Sequence, residues 1–249
     1  MSRSWGALLL ASWCAFVRPA HASLVSINPT RVELSVAKPT DSLTLNNGGT
    51  EPSRFQVTAH AWAQATDGSM QLAPTRDLVF FPSLFELKGG ESRRIRIAAA
   101  SPNDGSINEK AYRIFVEELP PATPDQSGKI RVLTRLGVPV FLQPSVPRPQ
   151  PIVGARVEGG HLLAWLENRG NAHLLARSMR VVGRSRNGDV VLQRDLPTWY
   201  VLAGGRREYD LPVTRELCAR ISEVWLTAKT DEDVVTTSQA VLRGPCVDP

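Results

Sequence analysis

The chain reads as an all-β protein made of two sandwich-sized halves. Three features point there. Short runs of alternating apolar and polar residues recur, separated by turn signals such as Asn46-Asn47-Gly48-Gly49, Asp67-Gly68, Gly89-Gly90 and Asn187-Gly188-Asp189. Stretches of helical period are few, and only residues 214 to 220 leave room for a turn of helix. Residues 143 to 151, Gln-Pro-Ser-Val-Pro-Arg-Pro-Gln-Pro, hold four prolines in nine positions, which favours a stiff, extended linker. That linker separates a piece of about 120 residues from one of about 100, each near the size of an immunoglobulin-type sandwich.

The elements follow in order. Leu24 to Leu34 is rich in β-formers around Asn28-Pro29, and Ser42 to Leu45 runs into the first turn. Arg54 to Gln64 alternates through Phe55, Val57, Ala59, Ala61 and Ala63. Leu78 to Leu87 is a strand interrupted by Pro82; Arg93 to Ala98 sets Ile95 and Ile97 against Arg94 and Arg96. Tyr112 to Leu119 ends at Pro120-Pro121, and residues 120 to 129 form a polar loop. Beyond the linker, strands are expected at 162–166, 179–183, 190–192, 201–203, 224–228 and 234–242.

The ends carry information about compartment. Arg3, an apolar stretch from Gly6 to Val17 and the small-x-small triplet Ala20-His21-Ala22 form a secretory signal, so the mature chain is expected to begin near Ser23. Two cysteines then remain, Cys218 and Cys246, and an even pair in an exported protein is expected to form a disulfide. Removing Arg3 and Arg18 leaves 27 basic against 24 acidic residues, a net charge of +3. The charge is mild and scattered apart from Arg93-Arg94-Ile95-Arg96, with no recognition helix or basic tail, which argues against nucleic acid as a partner. No later stretch has the ~18 apolar residues of a membrane helix, so membrane insertion is not expected.

Residues 130 to 142 read Ile-Arg-Val-Leu-Thr-Arg-Leu-Gly-Val-Pro-Val-Phe-Leu. Every even position is aliphatic except Thr134, so on a strand Ile130, Val132, Leu136, Val138, Val140 and Leu142 share one face. Fully extended, the run would reach about 43 Å, twice a typical strand. Pro139 has no N–H to give a neighbour, which confines such a strand to an edge, a start or a bulge. A long apolar edge is an aggregation hazard unless its use is to bind another chain.

In its first piece the chain resembles the PapD-like periplasmic pilus chaperones. The resemblance spans most of residues 24 to 144. It rests on Thr30-Arg31, Leu43 to Asn47, Gln56, Trp62, Pro82, Phe85, Leu87, Gly90, Arg96-Ile97, Glu109, Ala111-Tyr112-Arg113, Phe115, Glu118-Leu119-Pro120 and Val138 to Pro144, in that order. It implies a first domain at 23–144 and a second at 145–249, both immunoglobulin-like sandwiches, set as a boomerang around a cleft. It implies a periplasmic chaperone that holds pilus (fimbrial) subunits by donor-strand complementation and delivers them to an outer-membrane usher, without a cofactor. Strand addition of this kind draws affinity from main-chain hydrogen bonds and specificity from alternate side chains. The implied donor residues are Ile130, Val132, Thr134, Leu136 and Val138. The family anchors the subunit's C-terminal carboxylate with an arginine, matched by Arg31, and a lysine, whose place is taken here by Pro139. Arg135 on the same strand is the expected substitute, since a guanidinium fork suits a carboxylate. The departure at Pro139 points to a divergent branch like that of the archaic pilus systems. Arg96 and Glu109 match an ion pair near the domain boundary, with Asp231 or Asp233 as further members; an anion-binding patch is the rival reading of Arg93, Arg94 and Arg96.

An enzyme is not expected. His60, His161 and His173 stand in no H-E-x-x-H pattern, and no G-x-S-x-G or phosphate-binding G-x-x-x-x-G-K-[ST] is present. Scattered histidines give no metal site of defined geometry. Trp62, Trp165 and Trp225 lie in strand-like runs, where core packing is expected. The alternative is a secreted structural or adhesive subunit of a surface appendage. Such a subunit would be about one domain long with an N-terminal donor extension, whereas here the donor-like run closes the first half.

Overall fold

The computed structural model describes residues 24–101, 106–121, 132–158, 160–231 and 235–241. The first half consists of β1 (Val25–Asn28), β2 (Val32–Leu34), β3 (Thr40–Asn47), β4 (Ser53–Gln64), β5 (Met70–Pro74), β6 (Leu78–Phe81), β7 (Leu84–Leu87), β8 (Ser92–Ala99), β9 (Lys110–Leu119) and β10 (Arg135–Leu142). One sheet has the order β1-β3-β8-β6; the facing sheet runs β2-β10-β9-β4-β5, with β7 also paired to β4. Alternation builds the layer between them. Phe55 and Val57 of β4, Ile95 and Ile97 of β8, and Tyr112, Ile114 and Val116 of β9 are all buried in one cluster.

Two prolines divide strands between the sheets. Pro29 lies between β1, in the first sheet, and β2, in the second; Pro82 lies between β6, in the first, and β7, in the second. Neither can give a ladder N–H, so pairing ends there and the chain crosses over. The run expected at 78–87 is therefore two strands in opposite sheets.

The second half holds β11 (Pro151–Glu158), β12 (His161–Asn168), β13 (Leu174–Arg184), β14 (Val190–Leu196), β15 (Tyr200–Val201), β16 (Arg206–Pro212), α1 (Arg215–Arg220), β17 (Glu223–Thr230) and β18 (Val235–Val241). Its sheets are β11-β12-β16 and β14-β13-β17-β18, with β15 on β13. Leu162, Leu166, Met179, Val181, Val224 and Leu226 fill the space between them. Gly154 lets Trp165 lie flat on β11: a Cβ there would stand 2.4 Å from the indole. Helix α1 is the single turn expected at 214–220. Thr214 caps it, accepting from the Leu217 N–H, and it buries Cys218, which is disulfide-bonded. The expected partner, Cys246, lies outside the described residues.

Both sandwiches use the same polar plug. Asn47 ends β3, is 4 % exposed, and donates to the Glu51 and Leu87 carbonyls at 2.9 and 3.2 Å. Asn168 ends β12, is fully buried, and donates to the Ala172 and Val201 carbonyls at 2.7 and 3.1 Å. Each satisfies backbone groups that a turn would otherwise leave unpaired inside the protein.

A third cluster joins the halves. Trp62 and Phe141 from the first pack against Tyr200 and Leu202 from the second. The junction is stitched by Gln64 Nε2 donating to the Tyr200 carbonyl (2.8 Å), Glu208 N to the Thr66 carbonyl (2.6 Å) and Glu109 N to the Asn171 carbonyl (2.8 Å).

Candidate functional site

Strand β10 has two different sides. On one it pairs antiparallel with β9 along its whole length, from Arg135↔Glu117 to Leu142↔Lys110. On the other it pairs with β2 only over Val140, Phe141 and Leu142. From Arg135 to Pro139 the outer edge has no strand beside it among the described residues. Backbone groups alternate in direction along a strand. Glu118 N donates to the Thr134 carbonyl, and Gln143 N donates to the Leu34 carbonyl on the other side. The N–H and C=O of Arg135 and Gly137 therefore point to the open edge. Pro139 has the same parity, so its missing N–H weakens no bond to β9 and ends the row of donors on the open side.

The even-numbered face changes character along its length. Leu142, Val140 and Val138 are 6 %, 0 % and 2 % exposed and belong to the core of their own sandwich. Leu136 is half-buried against that core, and Thr134 is half-buried. Val132, beyond the end of β10, is 72 % exposed, and Leu133 is 41 % exposed. The thirteen-residue strand expected at 130–142 is thus shorter: β10 begins at Arg135, and Ile130 lies outside the described residues. Val138 is corrected as a donor residue. Its side chain fills its own core and is not available to another chain.

The odd-numbered face turns toward the second domain. Arg31 stands one residue before the Val32↔Val140 pair and so flanks Pro139 on one side; Arg113 pairs with Pro139 on the other. Two strand spacings separate the two arginine backbones, roughly 10 Å. The Arg31 guanidinium contacts Glu33 (Nε–Oε1 3.0 Å) and Asp231 (Nη1–Oδ2 3.4 Å). Burial works against its charge, but Glu33, Tyr200 and Asp231 together hold its pKa above the ordinary value. Arg113 is 7 % exposed and lies over the rings of Trp62 and Trp199, 5.1 and 4.8 Å from the centroids. Its Nε is buried without a hydrogen-bond partner among the described residues, and burial pulls its pKa below the ordinary value, against an opposing effect of Tyr200. A guanidinium stays charged through such a shift. Arg113 is therefore a buried cation in want of an anion.

Arg135 does not take this place. It lies four residues from Pro139, about 13 Å along the strand, where it pairs with Glu117 and covers the Phe115 ring at 4.0 Å. The expected Arg96–Glu109 pair is also not formed. Arg96 is on the outer face of β8, opposite Ser42 and Phe81, while Glu109 is buried at the domain junction. The Glu109 partner is His173, whose Nδ1 lies 2.9 Å from both carboxylate oxygens and whose ring stacks on Phe141 at 3.5 Å. Asp231 does reach the boundary, but through Arg31 and Arg177; Asp233 lies outside the described residues. A cleft of about 360 Å³ between the domains is lined by Arg31, Glu109, His173, Asp231 and the linker prolines Pro147 and Pro149.

The family model for the pili and flagellar-assembly chaperone, PapD N-terminal domain, matches residues 24–147. The chain belongs to the PapD-type periplasmic chaperones. This is a family of chaperones and not of enzymes. No curated protein matches it by sequence. Solved structures share its fold. A chain of the CsuC–CsuE chaperone–tip subunit pre-assembly complex of archaic Csu pili from Acinetobacter baumannii is 15 % identical, with a TM-score of 0.62 over 89 % of this chain and 100 % of that one. The Salmonella enterica SafA pilin–SafB chaperone complex gives 15 %, 0.58, 90 % and 99 % in the same order. The Escherichia coli chaperone DraB gives 20 %, 0.54, 89 % and 97 %. The two sandwiches of this chaperone are arranged as in PapD.

Proposed function

We propose that this chaperone receives pilus subunits in the periplasm on the open edge of β10 and passes them to an outer-membrane usher, after removal of residues 1–22 as a signal peptide. The observation that carries this reading is the one-sided pairing of β10: a strand closed by β2 at Val140–Leu142 and open from Arg135 to Pro139, continued by exposed Val132. A subunit strand laid along that edge would bond to the backbone of Arg135 and Gly137 and lose its ladder at Pro139. Val132 and Thr134, with Ile130 upstream, would enter the subunit's core, and Leu136 would border both cores. Burying each aliphatic side chain is worth about 1.5–3 kcal/mol before ordering costs.

The subunit's terminal carboxylate would lie between Arg31 and Arg113, over Tyr200. Arg113 thus takes the part that a lysine at position 139 plays elsewhere in the family. It supplies the charge from the neighbouring strand, and Trp62 and Trp199 hold its plane. Co-expression with pilin-type β-proteins in a periplasm tests the reading. Val132→Asp is expected to leave the chaperone folded while the subunits it protects are degraded. Subunits kept soluble at wild-type levels by Val132→Asp would remove this edge as their binding site.

A further inference from the structure

Glu118 is a buried carboxylate that neither the core nor the carboxylate anchor explains. It is 6 % exposed and sits on the core-facing side of β9, in the even series of Tyr112, Ile114 and Val116. It lies opposite Phe55 of β4. A leucine there would continue the apolar layer at no desolvation cost, whereas a carboxylate must be hydrogen-bonded to be tolerated. Two bonds of its side chain tie β4 to the start of the donor segment. Ser53 Oγ donates to Oε1 at 2.9 Å, and the Thr134 N–H donates to Oε2 at 3.3 Å. The Glu118 N–H in turn donates to the Thr134 carbonyl at 2.8 Å. Thr134 is the residue just before β10 begins. In an unbroken antiparallel pair its N–H would bond to the main-chain carbonyl across from it; here the side chain takes that bond. The ladder stops at Arg135↔Glu117, and the next residues, Leu133 and Val132, are exposed.

We propose that Glu118 is a positioning residue that fixes where the donor arm leaves the chaperone's own sheet, and hence which residues are offered to a subunit. The proposal rests on the reading of β10 as the lent edge. The carboxylate holds Thr134 at the rim of the core, so that Val132 projects past it in a defined direction. Local polar bonds of this kind compete with a strand ladder for the same backbone donor.

Hydrogen exchange of the free chaperone tests the clamp without a subunit. In Glu118→Leu, which keeps the buried volume apolar, the Thr134 and Leu136 amides, which point to β9, are expected to exchange at least 10-fold faster, with the melting temperature unchanged or higher. Glu118→Gln keeps an acceptor for Thr134 and a donor for Ser53 Oγ, and is expected to restore wild-type exchange. Wild-type exchange in Glu118→Leu, or equal acceleration in both variants, would overturn the clamp. Should Glu118→Leu fail to fold, Ser53→Ala replaces it, with faster exchange confined to the same residues expected and unchanged exchange counting against the proposal. A pilin-type subunit that the wild-type chain keeps soluble then supplies the second arm. Dissociation from Glu118→Leu should be about 10-fold faster and that from Glu118→Gln unchanged. If exchange changes as expected and dissociation does not, Glu118 shapes the arm but not the offer, and the proposal falls. The lent-edge reading itself is decided separately, by Val132→Asp.

Discussion

The two halves of the segment from Val132 to Leu142 share one aliphatic pattern and have opposite fates. Val138, Val140 and Leu142 lie inside the first sandwich, and the last two are flanked by β2 as well as β9. Val132 has the same parity and stands in solvent. The difference is what lies above the strand, not the residues in it. The sandwich core ends near Glu118, so the same face that is a core surface at Val140 becomes an unfilled surface at Val132. A chaperone can in this way hold an apolar ribbon at one end and offer it at the other. The closed half supplies the rigidity that keeps the open half extended, which lowers the ordering cost of strand addition.

Substitutions separate the halves. Val140→Asp should do the most damage: an unpaired buried charge costs about 3–5 kcal/mol, enough to unfold the first domain in thermal melts followed by circular dichroism, whereas Val132→Asp should melt with the wild type. Next in size is Arg113→Met. It removes a charged hydrogen-bond donor from the anchor, worth about 1.5–3 kcal/mol, so subunit affinity should fall roughly 10- to 100-fold in a pull-down titration while the fold is kept. A wild-type affinity would exclude Arg113 from the anchor. Leu136→Ala probes the border and is expected to act on both readouts. Half-burial predicts a loss of about 1–2 kcal/mol in urea unfolding, together with weaker subunit capture. Arg135→Ala should be the mildest, because an exposed ion pair contributes about 0–1 kcal/mol. Affinity and stability should both stay near wild type, and a 100-fold loss of affinity would restore Arg135 as the anchor.

The two arginines show how far the sequence could be read. Arg113 and Arg135 have the same parity and side chains on the same sheet face, and a donor strand lacking its lysine draws attention to Arg135 because it is near in sequence. What distinguishes them is register: Arg113 is the residue paired with Pro139. The available signal is Trp62 together with Arg113 among the residues that carry the family resemblance, an arginine among strand residues beside an aromatic. The sequence pairs Glu109 with Arg96, whereas its partner is His173, which belongs to the other domain and lies 64 residues away. β5, β11 and β16 were not expected as strands. All five residues of β5 are exposed and carry no buried alternation, and β11 starts inside the proline-rich segment.

From composition and period alone follow the all-β class, the division at the proline-rich segment, the turn at Asn46-Asn47-Gly48-Gly49, and the aliphatic parity of residues 130 to 142. These are local properties: a strand's alternation and a turn's backbone demands are written in adjacent residues. Three-residue pairing by β2, the bonds between Glu118 and Thr134, and the place of Arg113 beside Pro139 were settled by the tertiary structure. They depend on which rungs meet across strands that are tens of residues apart, and no periodicity within one strand records the register of its neighbour.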